Sequence, residues 1–214
     1  LLSPAPFKGN VDLEKLEGLL KGPESNKIPF VLMTITNNTG GGQPVSMDNL
    51  KKVKELCTKY NKMFLLDACR FAENAWFVSQ REDEYKDVEI REIAKEAFRL
   101  ADGCTISLKK DGFGNIGGVL ALNDDAMAEA ARNLLILTEG FPTYGGLAGR
   151  DLDALAQGLK EITDKNYLEY RARSISYLAE KALSYDIPVV QPAGGHALYI
   201  DAKTFLPNIP PHEY

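Results

Sequence analysis

Apolar and polar positions along this chain fall into two rhythms. Val11 to Leu20 (VDLEKLEGLL) repeats its apolar residues at helical spacing, and Pro29 to Ile35 (PFVLMTI) is an unbroken apolar run of the kind a buried parallel strand requires. Asn37 to Pro44 (NNTGGGQP) is a glycine-rich loop. Ser46 then caps an amphipathic helix from Met47 to Asn61, with Leu50, Val53, Leu56 and Tyr60 on one side, and Lys62 to Leu66 (KMFLL) is a second strand ending at Asp67. Strand, loop, helix and strand make a βαβ unit, which predicts a right-handed crossover in a parallel sheet.

Beyond this unit, Phe71 to Gln80 predicts a short helix, Val88 to Ala101 a longer one, and Gly103 to Leu108 (GCTISL) a third strand. Gly117 to Leu122 (GGVLAL) follows too closely for a helical crossover, so it is expected to run antiparallel to its predecessor. Asp124 and Asp125 open a helix from Ala126 to Leu137. Asp151 to Tyr185 is the longest helical stretch, bent or broken near Asp164 to Asn166, and Pro188 to Gln191 and Ala197 to Ile200 read as short strands flanking Gly194 and Gly195. The pattern as a whole is that of an α/β protein, its sheet mostly parallel with one antiparallel strand.

Composition adds exclusions. Of 214 residues 44% are hydrophobic, enough for one core, and 25 basic against 30 acidic side chains leave a net charge of −5 with no basic cluster, so nucleic acid is not an expected partner. No run approaches the ~18 consecutive apolar residues of a membrane span, and LLSPAPFKGN has neither the basic start nor the apolar stretch of a signal peptide. The expected location is the cytoplasm. Cys57, Cys69 and Cys104 are odd in number and widely spaced, which reads as reduced thiols, and His196 and His212 are too far apart for a zinc site or a histidine relay. The end of the chain, PNIPPHEY, looks like a cut loop, and its start is equally abrupt.

In open α/β sheets ligands bind beyond the carboxyl ends of the strands, where Asn38, Asp67 and Ser107 with Lys110 all fall. Pyridoxal phosphate requires a lysine amine and an aspartate against its ring nitrogen, and Asp67 and Lys110 have the right types and positions. Arg70 is close in sequence to the same aspartate, and Ser107 offers a donor to the phosphate. Plainer readings compete: a strand-terminal Asp as a cap, Lys-Lys-Asp as a solvated corner, Asn38 as a turn residue. The loop GGGQP matches neither GxGxxG nor the Walker pattern.

Five strings weigh between these readings: TNNTGGGQPVSMDNL, DACRFAENAWF, ADGCTISLKKDGFGNIGG, EGFPTYGGLAGRD and VVQPAGGHALYID. In this order, across nearly the whole chain, they resemble the β-eliminating lyases, the family of tryptophanases and tyrosine phenol-lyases. The resemblance implies the large domain of a fold-type I pyridoxal-phosphate enzyme, with helices on both faces of the sheet. It assigns residues 1–185 to a partial large domain and 186–214 to the start of a small one. It places the cofactor-binding lysine at Lys110 and a neighbouring active-site lysine at Lys109. Ser107 matches a phosphate ligand, Asp67 the ring-nitrogen partner, and Asn38 and Arg70 the contacts to the cofactor's phenolic oxygen. Asn115 matches a carbonyl ligand of a potassium-type cation, and Tyr144 a tyrosine near the active site.

The implied reaction is β-elimination of an aromatic amino acid, first L-tryptophan to indole, pyruvate and ammonium, alternatively L-tyrosine to phenol. RFAENAWFVSQREDEYKD and EGFPTYGG lean to the tryptophanases, ADGCTISLKKD and NIGG to the tyrosine phenol-lyases. The family's upstream phosphate-gripping loop, upstream cation ligands and downstream carboxylate-binding arginine have no counterpart here. The resemblance implies a homotetramer, and the missing parts imply either an excised fragment or one piece of a split protein completed by other fragments of the same protein. Alone, it is expected to be either an incomplete enzyme or a cofactor-binding scaffold.

Overall fold

The computed structural model describes residues 4–141 and 146–213. Helix α1 (Leu13–Lys21), capped by Asp12, leads to strand β1 (Phe30–Thr34). Helix α2 (Met47–Lys59) starts where its sequence says, with Ser46 Oγ accepting from Asn49 N–H at 3.1 Å. Strand β2 (Met63–Asp67), helix α3 (Phe71–Arg81), helix α4 (Ile90–Leu100), strand β3 (Gly103–Ser107) and strand β4 (Gly118–Leu122) follow. The sheet order is β1-β2-β3-β4, parallel in its first two pairings and antiparallel in the third, as the short β3–β4 connection requires.

Helix α5 (Asp125–Thr138) lies beside β4, and the long helical stretch divides into α6 (Gly149–Glu161) and α7 (Lys165–Ser184), with Asp164 capping the second. The break falls within the expected positions. Helices α2, α3 and α4 cover one sheet face, joining Met33, Phe64, Leu66 and Cys104 to Leu50, Val53, Ala75, Ile93 and Ala97 in the main core. The opposite face meets α5 at β4. There Phe30 and Leu32 of β1 are 43% and 49% exposed and Leu120 of β4 is 54% exposed. The apolar run of β1 has the two-faced composition of a buried parallel strand, yet only one of its faces is covered here.

Two expected strands are corrected. Pro188 to Gln191 and Ala197 to Ile200 form a single antiparallel bridge, Val189 to Ile200, supported by Val190 N–H donating to Tyr199 O at 2.8 Å. Pro188 and Pro192 bracket this segment and supply no N–H, so a longer ladder cannot form. The segment packs on α7 through Ala179, Ala182, Ile187, Val189 and Leu198, a cluster separate from the main core. A short helix α8 (Ala202–Phe205) follows.

Candidate active site

Asp67 closes β2 and Ser107 closes β3 on the same edge of the sheet, and Cys69 joins them. Its thiol donates to Asp67 Oδ1 at 2.7 Å while its sulfur accepts from Ser107 N–H at 3.2 Å. Burial pushes the Cys69 pKa up and the bond to Asp67 adds to this, against the Ser107 amide and the Lys110 ammonium. The sulfur stays a thiol. From this group a cavity of about 850 Å³ runs between the sheet and α5, with Asp67, Cys69, Thr105 and Ser107 at its polar end and Leu120, Leu122 and Leu135 along its apolar wall.

Lys110 stands in a tight turn. Its N–H donates to Ser107 O at 3.3 Å, its carbonyl accepts from Phe113 N–H at 3.2 Å, and Gly114 N–H donates to Leu108 O at 3.0 Å. A Cβ on Gly112 would lie 2.5 Å from the Leu108 carbonyl oxygen, so only glycine fits the turn. Lys109 is exposed, Lys110 half-buried and Asp111 fully buried. A solvated corner does not bury its aspartate.

Asp111 begins a second group of polar side chains. Its Oδ2 accepts from the N–H groups of Ala72 and Glu73 at 2.9 and 3.2 Å, and its Oδ1 from Arg171 Nη1 at 3.0 Å. Arg171 Nη2 donates to Glu73 Oε2 at 2.7 Å, and Thr36 Oγ1 donates to Glu73 Oε1, also at 2.7 Å. Glu73 Oε1 faces His196 Nδ1 at 2.8 Å. Burial raises the pKa of Asp111 against the pull of Arg171, whose own pKa is raised by Glu73 and Asp111 despite its desolvation. Two buried carboxylates and one guanidinium thus hold one another, every carboxylate oxygen occupied.

The far end of this group is Asn38. Its Oδ1 accepts from Tyr199 OH at 2.8 Å and lies 2.9 Å from His196 Nε2, which leaves its Nδ2 donors for another group. Two glycine segments permit the approach. A Cβ on Gly42 would stand 2.9 Å from the His196 ring, and one on Gly194 would stand 2.6 Å from the Gly42 carbonyl oxygen. The glycines of NNTGGGQP therefore serve close packing against the C-terminal segment.

Asp67, Ser107 and Lys110 are thus gathered around Cys69. Asn38 joins them only through the Glu73–Arg171–Asp111 group and does not line the cavity. Arg70 occupies the N-cap of α3 between them, its N–H donating to Ile35 O at 3.0 Å. Lys109 and Asn115 are exposed and belong to neither group. Tyr144 lies outside the described residues. The sequence reading missed Cys69, Glu73, Asp111, Arg171 and Tyr199, and it set His196 aside for want of a second histidine. The available signals were two polar residues, Glu73 and Asn74, set within the otherwise apolar stretch Phe71 to Val78, and the paired glycines before His196.

A mostly parallel α/β sheet with an acid and a hydroxyl closing neighbouring strands defines the class: an open α/β fold of the kind that binds ligands beyond the carboxyl edge. The chain belongs to the β-eliminating lyase family, whose model matches residues 3–206. It is 62% identical to a tryptophanase of Hyphomonas neptunium over 209 residues, 98% of this chain and 46% of that protein. It is 60% identical to a tryptophanase of Salinibacter ruber, and 49% identical to a tyrosine phenol-lyase of Pasteurella multocida, over the same 98% of the chain. The chain spans less than half the length of these relatives. A solved structure of a putative aromatic amino acid β-eliminating lyase/threonine aldolase from Exiguobacterium shares the fold, with a TM-score of 0.57 at 19% identity over 78% of this chain and 42% of its own.

Proposed function

We propose that this chain carries the cofactor half of a pyridoxal-phosphate-dependent lyase that converts L-tryptophan and water to indole, pyruvate and ammonium. The observation that carries the reading is the convergence of Asp67, Cys69, Ser107 and Lys110 at one sheet edge, in a chain more similar to tryptophanases than to tyrosine phenol-lyases. The donor set suits the cofactor. Lys110 offers the amine that holds its aldehyde carbon, Asp67 a carboxylate to keep a proton on its ring nitrogen, and Ser107 a hydroxyl for its phosphate. Asn38, with Nδ2 free, and Arg70 would donate to its phenolic oxygen. The bound cofactor supplies an electron-withdrawing ring conjugated to the substrate's amine. Lys110 would be the base that takes the substrate's Cα proton, and the family resemblance adds Lys109 and Tyr144 as further active-site residues.

The same reading makes Asn115 a carbonyl ligand for potassium, residues 1–185 a partial large domain and 186–214 the start of a small one. Its setting is a cytoplasmic homotetramer or an assembly of complementing fragments. A second reading, a scaffold that binds the cofactor without turnover, is favoured by the bare β1 and β4 face. To test both, the chain is mixed with pyridoxal phosphate and its visible absorption compared with that of Lys110→Ala, then pyruvate is assayed from L-tryptophan and from L-tyrosine with potassium or sodium present. A band lost in Lys110→Ala with pyruvate from L-tryptophan supports the lyase. A band without pyruvate supports the scaffold, and no band in the native chain overturns both.

A further inference from the structure

Lys109 and Lys110 are adjacent, chemically identical amines, and something in the fold must choose between them. The turn that carries them is joined to the β2–α3 connection by a row of bonds. Ala68 N–H donates to Thr105 O at 2.8 Å, Ser107 N–H to Cys69 Sγ at 3.2 Å and Asp111 N–H to Cys69 O at 3.3 Å. Asp111 then reaches three and four residues further along and takes the Ala72 and Glu73 amides at the start of α3.

Helix α3 has no capping bond from its own N-cap residue, Arg70, so Asp111 supplies from 39 positions away the acceptor that a local Ser or Asp usually provides. Negative charge at this end is favoured by the helix dipole. The other carboxylate oxygen is held by Arg171. Both oxygens being committed, the carboxylate cannot turn, and its peptide neighbour Lys110 is fixed relative to Asp67, Cys69 and Arg70 on the facing connection.

We propose that Asp111 is a positioning residue for Lys110: it clamps the lysine-bearing turn onto the N-terminus of α3, so that Lys110 and not Lys109 is presented to Asp67 and Cys69. The inference rests on Lys110 being the cofactor amine. No isostere can substitute. An asparagine at this position would present an N–H either to two amide donors or to the guanidinium, and one side would be repelled.

The test reads which lysine reacts. Pyridoxal phosphate is added to the chain, the lysine amine condenses with its aldehyde with loss of water, and borohydride delivers hydride to the resulting carbon–nitrogen double bond. The stable secondary amine is located by peptide mass spectrometry. In the native chain the label is expected on Lys110 well above Lys109. In Asp111→Asn the Lys110 to Lys109 ratio is expected to fall by about an order of magnitude, since a displacement of ~1 Å can cost on the order of a hundredfold in a positioned reaction.

Val53→Ala, a core truncation far from the turn, lowers the melting temperature by another route and is expected to leave the ratio unchanged. If Asp111→Asn does not fold, Arg171→Lys, which frees one carboxylate oxygen while keeping the cation, is expected to lower the ratio in the same direction. An unchanged ratio in the folded variant, or an equal fall in Val53→Ala, overturns the clamp while leaving the lyase reading intact. No label on either lysine of the native chain overturns both.

Discussion

The two faces of this four-stranded sheet were made from similarly apolar strands and ended in opposite conditions. Beneath α2, α3 and α4, Phe64 and Leu66 are fully buried, and the polar residues that enter the same layer, Glu73 and Asp111, are matched by Thr36, Arg171, His196 and backbone amides. Beside α5, Phe30, Leu32 and Leu120 remain near half exposure, and Leu137 at the end of α5 is 84% exposed. Apolar composition alone does not define a core. The covered face carries Glu73 and Asp111 with their partners, and the other carries the apolar wall of the cavity that starts at Asp67 and Ser107.

Truncating each face measures the contrast. Phe64→Ala, on the covered side, is expected to cost about 3–5 kcal/mol in denaturant unfolding because the surroundings of a fully buried ring cannot collapse into the space. A cost below ~1 kcal/mol would mean the two faces are alike. Arg171→Ala leaves Glu73 and Asp111 facing each other without a cation, and about 3 kcal/mol of destabilisation is expected, somewhat reduced by the partial exposure of the guanidinium.

Cys57 gives a smaller, pH-dependent test of the covered layer. Burial pushes its thiol up to about 11, above the ordinary 9.0. In the unfolded chain the thiol ionises first, so its contribution to stability is full below about pH 9 and is lost as pH rises through about 11. Melting temperatures across this window should fall less steeply in Cys57→Ala than in the native chain. Smallest of all, Leu120→Ala on the bare face is expected to change stability by no more than about 0.5 kcal/mol. Leu137→Lys should reduce self-association, read by light scattering, with the melting temperature unmoved.

What was legible in the sequence was local. Ser46 and Asp124 announced their helices because a cap acts over three residues, and the short β3–β4 connection announced its direction because no crossover fits in it. The mostly parallel sheet and the family followed from runs and strings of that range. Asp67, Ser107 and Lys110 could be proposed because strand ends are themselves local features. Arg171 and Glu73 are 98 positions apart, and His196 and Asn38 158 apart, and no periodicity records such meetings. The 188–200 segment misled for a related reason: its residue types suit strands, while its prolines withhold the N–H groups that a ladder needs.

The distant cap on α3 also bears on the order in which the molecule assembles. Among the first amides of α3, those of Phe71 and Asn74 are satisfied by Ala68 and Arg70 close by, but those of Ala72 and Glu73 depend on an acceptor delivered by the turn after β3. Until that turn arrives, the start of α3 is free to fray. The corner that holds Arg70 is therefore complete only once β3 and the turn after it are both in place.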